Sequence, residues 1–132
     1  AMLRPHAAAR DFTRALLADS RFVQGYLDRA SAKLMIANYQ EAIEDVSRAA
    51  AFDVGNPEIY VLRGEGYLAL RDLPAALKDF TQAITLDPKN VGAYLGRGLT
   101  QARASTFDEA FADLNRAIEL DPRSARAFAY RA

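Results

Sequence analysis

The sequence predicts an all-α solenoid of tandem helical hairpins, each thirty-four residues long, with three full units and a partial unit at each end. Three observations predict it. Residue types return in phase every thirty-four positions: Tyr26 falls on Tyr60 and Tyr94, Ala42 on Ala76 and Ala110, Ala49 on Ala83 and Ala117, Asp53 on Asp87 and Asp121, Gly64 on Gly98 and Pro88 on Pro122. Self-similarity at a fixed period of that length marks a repeat array. Within each unit, apolar residues recur at helical spacing in two runs separated by a short break. No stretch alternates with period two, and alanine is abundant, so strand signals are absent.

Residues 1–22 read as the second half of a unit, because PHAAARDFTRALL from Pro5 aligns with PAALKDFTQAITL from Pro74. Pro5 suits a first helical turn, where its missing N–H costs nothing. Ala8, Phe12, Ala15 and Leu16 form the apolar stripe, and Asp19-Ser20-Arg21 is expected to end that helix.

Residues 23–56 are the first full unit. The pattern predicts a helix over Gln24–Ile36, a turn at Ala37-Asn38 and a second helix over Gln40–Phe52. Gly55 and Asn56 are expected to close it, since both tolerate the left-handed backbone that ends helices. Residues 57–90 are the second unit, with Pro57 and Pro74 as helix-starting prolines and a break at Arg71-Asp72. Residues 91–124 are the third, with helices over Gly92–Ala104 and Phe107–Leu120. Thr106 followed by Glu109 reads as a capping box. Residues 125–132 match the opening of a further unit, with Phe128 in the place of the recurring Tyr.

Composition excludes several functions. Lys+Arg and Asp+Glu are equal at 17 each, so the formal net charge is zero and no basic footprint for nucleic acid exists. No apolar run approaches the length of a membrane span. There is no cysteine, which removes disulfide and thiolate chemistry and leaves the redox compartment unreadable. No secretory signal pattern opens the chain. It reads as a soluble piece of a longer protein of unknown localisation, with the cytoplasm favoured.

The recurring frame resembles the tetratricopeptide repeat family. The residues that carry it are the Tyr26, Tyr60, Tyr94 series, Gly64 and Gly98, the two alanine series, the Tyr39, Leu73, Phe107 series and the closing Leu-Asp-Pro. Departures are Ala30 for the small Gly, Val54 for Pro, turns without Gly, and Lys33 and Gln101 where Tyr67 fits the pattern; those two are expected to loosen local packing. The resemblance implies hairpins stacked into a right-handed superhelix with a concave inner groove, together forming one array over residues 1–132. Helix physics agrees. Gly64 costs about 1 kcal/mol against Ala in mid-helix, which makes sense where another backbone crosses. Ala76 and Ala83, two turns apart, offer the flat surface for that crossing.

Two features carry chemistry. Arg29, Arg63, Arg97 and Arg131 recur at one place in the first helices, and Asp11, Asp45, Asp79 and Asp113 at one place in the second. These charges are expected to pair across packed helices as a structural ladder, either within a unit (Arg63 with Asp79) or to the preceding one (Arg63 with Asp45). The planar Arg fork suits such bridging. The second feature is the groove. The resemblance implies that first-helix residues line it: Leu27, Ser31, Leu34 and Met35, then Glu58, Val61, Leu62, Glu65 and Leu68, then Leu95, Leu99 and Arg103.

Many of these residues are apolar, which points to an apolar or amphipathic peptide ligand. Relatives that grip the acidic tails of heat-shock chaperones carry Lys, Asn and Arg at sites that correspond here to Leu27, Ser31, Leu62, Gly92 and Gly96. The resemblance therefore implies no such clamp.

Enzyme readings find no support. His6 is the only histidine, and no Ser-His-Asp set, metal cluster or phosphate loop is present. No cofactor is expected. Two functions remain open. One is a protein-interaction scaffold that binds a peptide. The other is a structural module that self-associates head-to-tail through apolar repeat ends marked by Phe12, Leu16, Phe128 and Tyr130.

Overall fold

A computed structural model of the chain describes residues 20–123. Six α-helices occupy them: α1 (Ser20–Met35), α2 (Tyr39–Ala50), α3 (Pro57–Ala69), α4 (Leu73–Leu86), α5 (Val91–Arg103) and α6 (Phe107–Leu120). No strand occurs among the described residues. Consecutive helices pair as three hairpins, α1/α2, α3/α4 and α5/α6, and each hairpin packs on the next through α2 on α3 and α4 on α5. The first helices also touch directly, α1 to α3 and α3 to α5, whereas the second helices make no comparable contact with one another. The row of first helices is therefore the tight inner side of the stack, and the second helices form its wider outer side.

Helix ends follow local chemistry. Asn56, Asp72 and Asn90 cap α3, α4 and α5, accepting hydrogen bonds from the backbone N–H of Glu58, Ala75 and Ala93. Pro57 and Pro74 lie in first turns. Thr106 does not form the expected capping box; its hydroxyl donates backwards to the Gln101 carbonyl at 3.1 Å. Of the stop expected at Asp19-Ser20-Arg21, Ser20 and Arg21 already belong to α1, and Asp19 lies outside the described residues. The helix expected before it falls on residues outside the described ones.

The hairpin turns hold a feature that their glycine-free sequence conceals. Ala37, Arg71 and Ser105 each adopt a left-handed backbone, with φ of 63°, 64° and 63°. Each is the residue past a first helix that closes a six-to-one and a five-to-two hydrogen bond: Asn38 N–H to Lys33 and Ala37 N–H to Leu34 in the first turn. The same pair recurs as Asp72 to Tyr67 and Arg71 to Leu68, then as Thr106 to Gln101 and Ser105 to Ala102. This is the Schellman geometry. A left-handed non-glycine residue costs roughly 1–2 kcal/mol, so the closing bonds and hairpin packing hold it there. Gly55, expected to take this role, does not have positive φ. Its loop is governed by Asn56, which caps α3 from an extended backbone.

The core depends on side chains of matched size. Phe80 on α4 is fully buried. Its ring lies against Gly64 of α3 and Gly96 of α5: a Cβ built at Gly64 would stand 2.8 Å from the ring, and one at Gly96 only 2.2 Å. In the first hairpin Val46 takes Phe80's place, and Ala30 and Leu62 take the places of the two glycines in the same buried cluster. Smaller wedge and larger walls thus go together. Gly98 leaves room for Leu114 in the same manner, and Gly66 for Ile43.

Gly96→Ala tests this match. Alanine improves helix propensity by about 1 kcal/mol, but a 2.2 Å approach to a buried ring cannot be relieved by a small shift. Overpacking of this kind costs about 1–3 kcal/mol, so urea denaturation should give a net loss of stability. Phe80→Leu in the same chain should make Gly96→Ala nearly harmless, a coupling read from the double-mutant cycle.

Candidate functional site

Two surfaces were anticipated, a charge ladder between paired helices and a groove along the first helices. The ladder forms within hairpins. Arg29 donates from Nε and Nη2 to the two Asp45 carboxylate oxygens at 2.9 and 2.7 Å. Arg63 holds Asp79 in the same fork at 2.9 and 2.9 Å, and Arg97 holds Asp113 at 2.7 and 2.8 Å. The three carboxylates are buried. Of the two expected pairings, the structure therefore brings Arg63 to Asp79 and not to Asp45. Toward the preceding hairpin Arg63 offers only Nη1, to Ser47 Oγ at 3.4 Å, and Arg97 offers Nη1 to Thr81 Oγ1 at 3.5 Å. Arg131 and Asp11 lie outside the described residues.

Two kinds of contributor escaped the sequence reading. Tyr26, Tyr60 and Tyr94 lie under the guanidinium groups of Arg29, Arg63 and Arg97, with cation-to-ring distances of 5.2, 5.6 and 5.9 Å. Tyr60 and Tyr94 also donate hydroxyl hydrogen bonds to the Val54 and Pro88 carbonyls, at 2.8 and 3.0 Å, tying each first helix to the loop before it. Their three-residue offset from Arg was visible in the sequence and would have found them. Lys33 is the other contributor. It does not loosen the hairpin as expected, because its ammonium reaches Asp45 at 2.9 Å. Burial raises the Asp45 carboxyl, but hydrogen bonds and charge from Arg29 and Lys33 outweigh it and hold the pKa below the ordinary value. Gln101 behaves closer to expectation, since its Oε1 is buried without a hydrogen-bond partner.

The groove differs from the sequence expectation in three places. Leu27, Leu62 and Leu68 are buried core residues, not lining. They sit at the seams where first helices meet one another and the second helices, so neighbouring side chains consume their surface. Ser31, Leu34, Glu58, Val61, Leu95 and Leu99 are partly exposed, while Met35, Glu65 and Arg103 are exposed. Arg103 leans from α5 to the end of α3 and donates to the Leu68 carbonyl at 3.4 Å.

The direction of the lining follows from α3. Gly64 faces Phe80 of α4, and Gly66 faces Ile43 of α2 and Leu34 of α1. Glu58 and Glu65, two turns apart, stand on the side of the helix turned away from both contacts. Glu65 keeps solvent access, yet desolvation by its surroundings pushes its carboxyl pKa up. Gly92 and Gly96 leave the facing stretch of α5 without side chains, and the Phe80 ring already fills the space a side chain at Gly96 would enter.

Among the described residues no cluster of His, Cys, Asp or Glu could hold a metal ion, and no helix is long and apolar enough to cross a membrane. α6, the last described helix, exposes Phe107, Phe111 and Ile118, at 64, 70 and 45%. Their equivalents one unit earlier, Leu73, Leu77 and Ile84, are only partly exposed.

Comparison with known proteins places this geometry. Residues 61–125 match a family model described as tetratricopeptide repeat. The TPR domain of Arabidopsis OM64 superposes with a TM-score of 0.76 at 27% identity, over 83% of this chain and 92% of that one. The second TPR of Spaghetti (RPAP3), bound to the HSP90 peptide SRMEEVD, gives 0.72 at 29% identity over 75% and 92%. The second TPR domain of human RPAP3, in complex with the HSP70 peptide SGPTIEEVD, gives 0.68 at 31% identity over 74% and 81%. No curated protein matches the sequence.

The depressed Asp45 pKa makes stability depend on pH. A carboxyl whose pKa is lower folded than unfolded stabilises fully above its unfolded value of about 3.9, and that contribution disappears as pH falls through the folded value. Thermal unfolding followed from pH 7 downward should show this acid-side loss below about pH 4. Asp45→Asn should lower stability at pH 7 by about 1–2 kcal/mol, because the half-exposed Arg29 can return to water. It should also flatten the acid-side slope.

Proposed function

This chain belongs to the tetratricopeptide repeat family, and from that premise we propose that it is a non-catalytic scaffold that holds an apolar or amphipathic segment of a partner protein along its first-helix face. Repeats of this family generally serve as protein-interaction modules that bind peptides. We read residues 23–56, 57–90 and 91–124 as the three units that build the face. The observation that carries the reading is the set Leu34, Val61, Leu95 and Leu99 on the first helices: Leu34, Val61 and Leu99 pack against the buried clusters, yet all four keep part of their surface exposed. The ladder of Arg29–Asp45, Arg63–Asp79 and Arg97–Asp113 has a structural role: its fork donors are spent inside the hairpins.

The RPAP3 domains hold peptides that end in Glu-Val-Asp. Three features argue that this chain does not hold such a tail by the charged clamp. Leu27 and Leu62 are buried where the clamp needs polar groups. Gly92 has no side chain. Phe80 blocks any side chain at Gly96.

Calorimetric titration with SRMEEVD should give no binding, and a micromolar or tighter complex would overturn this part of the reading. An amphipathic helical probe peptide of Leu, Ala and Gln should bind the wild type. Leu95→Glu and Leu99→Glu, each checked for an intact helical melt, should weaken it by at least tenfold, since a charge would be set against an apolar contact.

The exposed Phe107, Phe111 and Ile118 stripe favours a second reading, head-to-tail association of copies through the outer face of α6. The terminal residues first suspected for this, Phe12, Leu16, Phe128 and Tyr130, lie outside the described residues. Light scattering against concentration should show mass growing in steps, and Phe111→Glu should abolish that growth. A mass constant at one chain up to high concentration removes the reading.

A further inference from the structure

The inner face carries an uncompensated negative charge. Asp28, Glu58 and Glu65 lie along α1 and α3 on this side, and the basic residue facing them, Arg103, donates to the Leu68 carbonyl at the rim. Asp28 is hydrogen-bonded to the neutral Gln24 side chain at 3.0 Å. Among the described residues, the carboxylates of Glu58 and Glu65 enter no ion pair or hydrogen bond. Their behaviour contrasts with the ladder, where each buried carboxylate has an arginine fork. Glu65 occupies the register position held by Ser31 on α1 and Leu99 on α5, so the carboxylate stands in the middle helix of the row with apolar surface beside it. A carboxylate that has lost part of its hydration without gaining a cation is an unfavourable arrangement in the free protein. A cation brought by a ligand relieves it.

We propose that Glu65 is the specificity-determining residue of this face, and that the partner is a helical segment presenting one Lys or Arg among apolar residues. The cation meets Glu65 while the apolar side chains cover Val61, Leu95 and Leu99. This rests on the groove reading and adds the charge of the partner to it. The preference is the reverse of that shown by relatives holding acidic peptides, and it is served by both attraction and repulsion: an acidic residue at the same place would stand against an unpaired carboxylate.

Three helical peptides of one Leu/Ala sequence, differing only in a central Lys, Gln or Glu, provide the test by fluorescence anisotropy. Wild type should bind the Lys peptide at least tenfold more tightly than the Gln peptide and the Glu peptide most weakly. Added salt should narrow the difference. Glu65→Gln should erase the order among the three peptides while keeping affinity for the Gln peptide. That variant removes a charge without changing shape, and its thermal melt should match or exceed the wild type. If all three peptides bind wild type alike, and Leu99→Glu still abolishes them, the Glu65 assignment is wrong while the groove survives. If none binds at any charge, the groove reading itself falls.

Discussion

The stack depends on one contact, the Phe80 ring lodged between Gly64 and Gly96. It joins three helices from two hairpins, and it works because neither neighbour has a Cβ. Burying a phenylalanine contributes about 1.5–3 kcal/mol, more than the roughly 1 kcal/mol that each mid-helix glycine costs. The balance is struck differently one unit earlier. There Val46 leaves space, and Ala30 and Leu62 fill it. A repeat array need not repeat its residues if it repeats the sum of their volumes.

That contact also shapes the inner face. With Phe80 against Gly96, no side chain can project from that position of α5. The polar ladder is the counterpart on the hairpin seams. Its arginines are stacked on tyrosines and forked onto buried aspartates, so their fork donors are engaged within the hairpins. What remains on the inner side is apolar surface and the unpaired carboxylates of Glu58 and Glu65.

Legibility of the site followed residue class. The Arg and Asp series were readable because one residue type at one phase over three units has few explanations. The choice between Arg63–Asp79 and Arg63–Asp45 was not, since sequence spacing is compatible with either neighbour. Leu27, Leu62 and Leu68 were misplaced in the groove because an apolar residue on the rim of a helix face can turn to the seam or to the ligand side. Glu65 was read as one lining residue among many, because desolvation of a carboxylate depends on walls built by other helices. The left-handed Ala37, Arg71 and Ser105 were hidden because hairpin closure, not local preference, forces that backbone.

The sequence by itself determined the class of fold, the period, the helix pairs and the members of the ladder, since each is written in local spacing and repeated three times. Tertiary structure alone decided which arginine meets which aspartate, which leucines are core, and that the Phe80 ring fills the space beside Gly96. Those outcomes depend on distances between helices, and such distances are set by the combined volumes of side chains far apart in the chain.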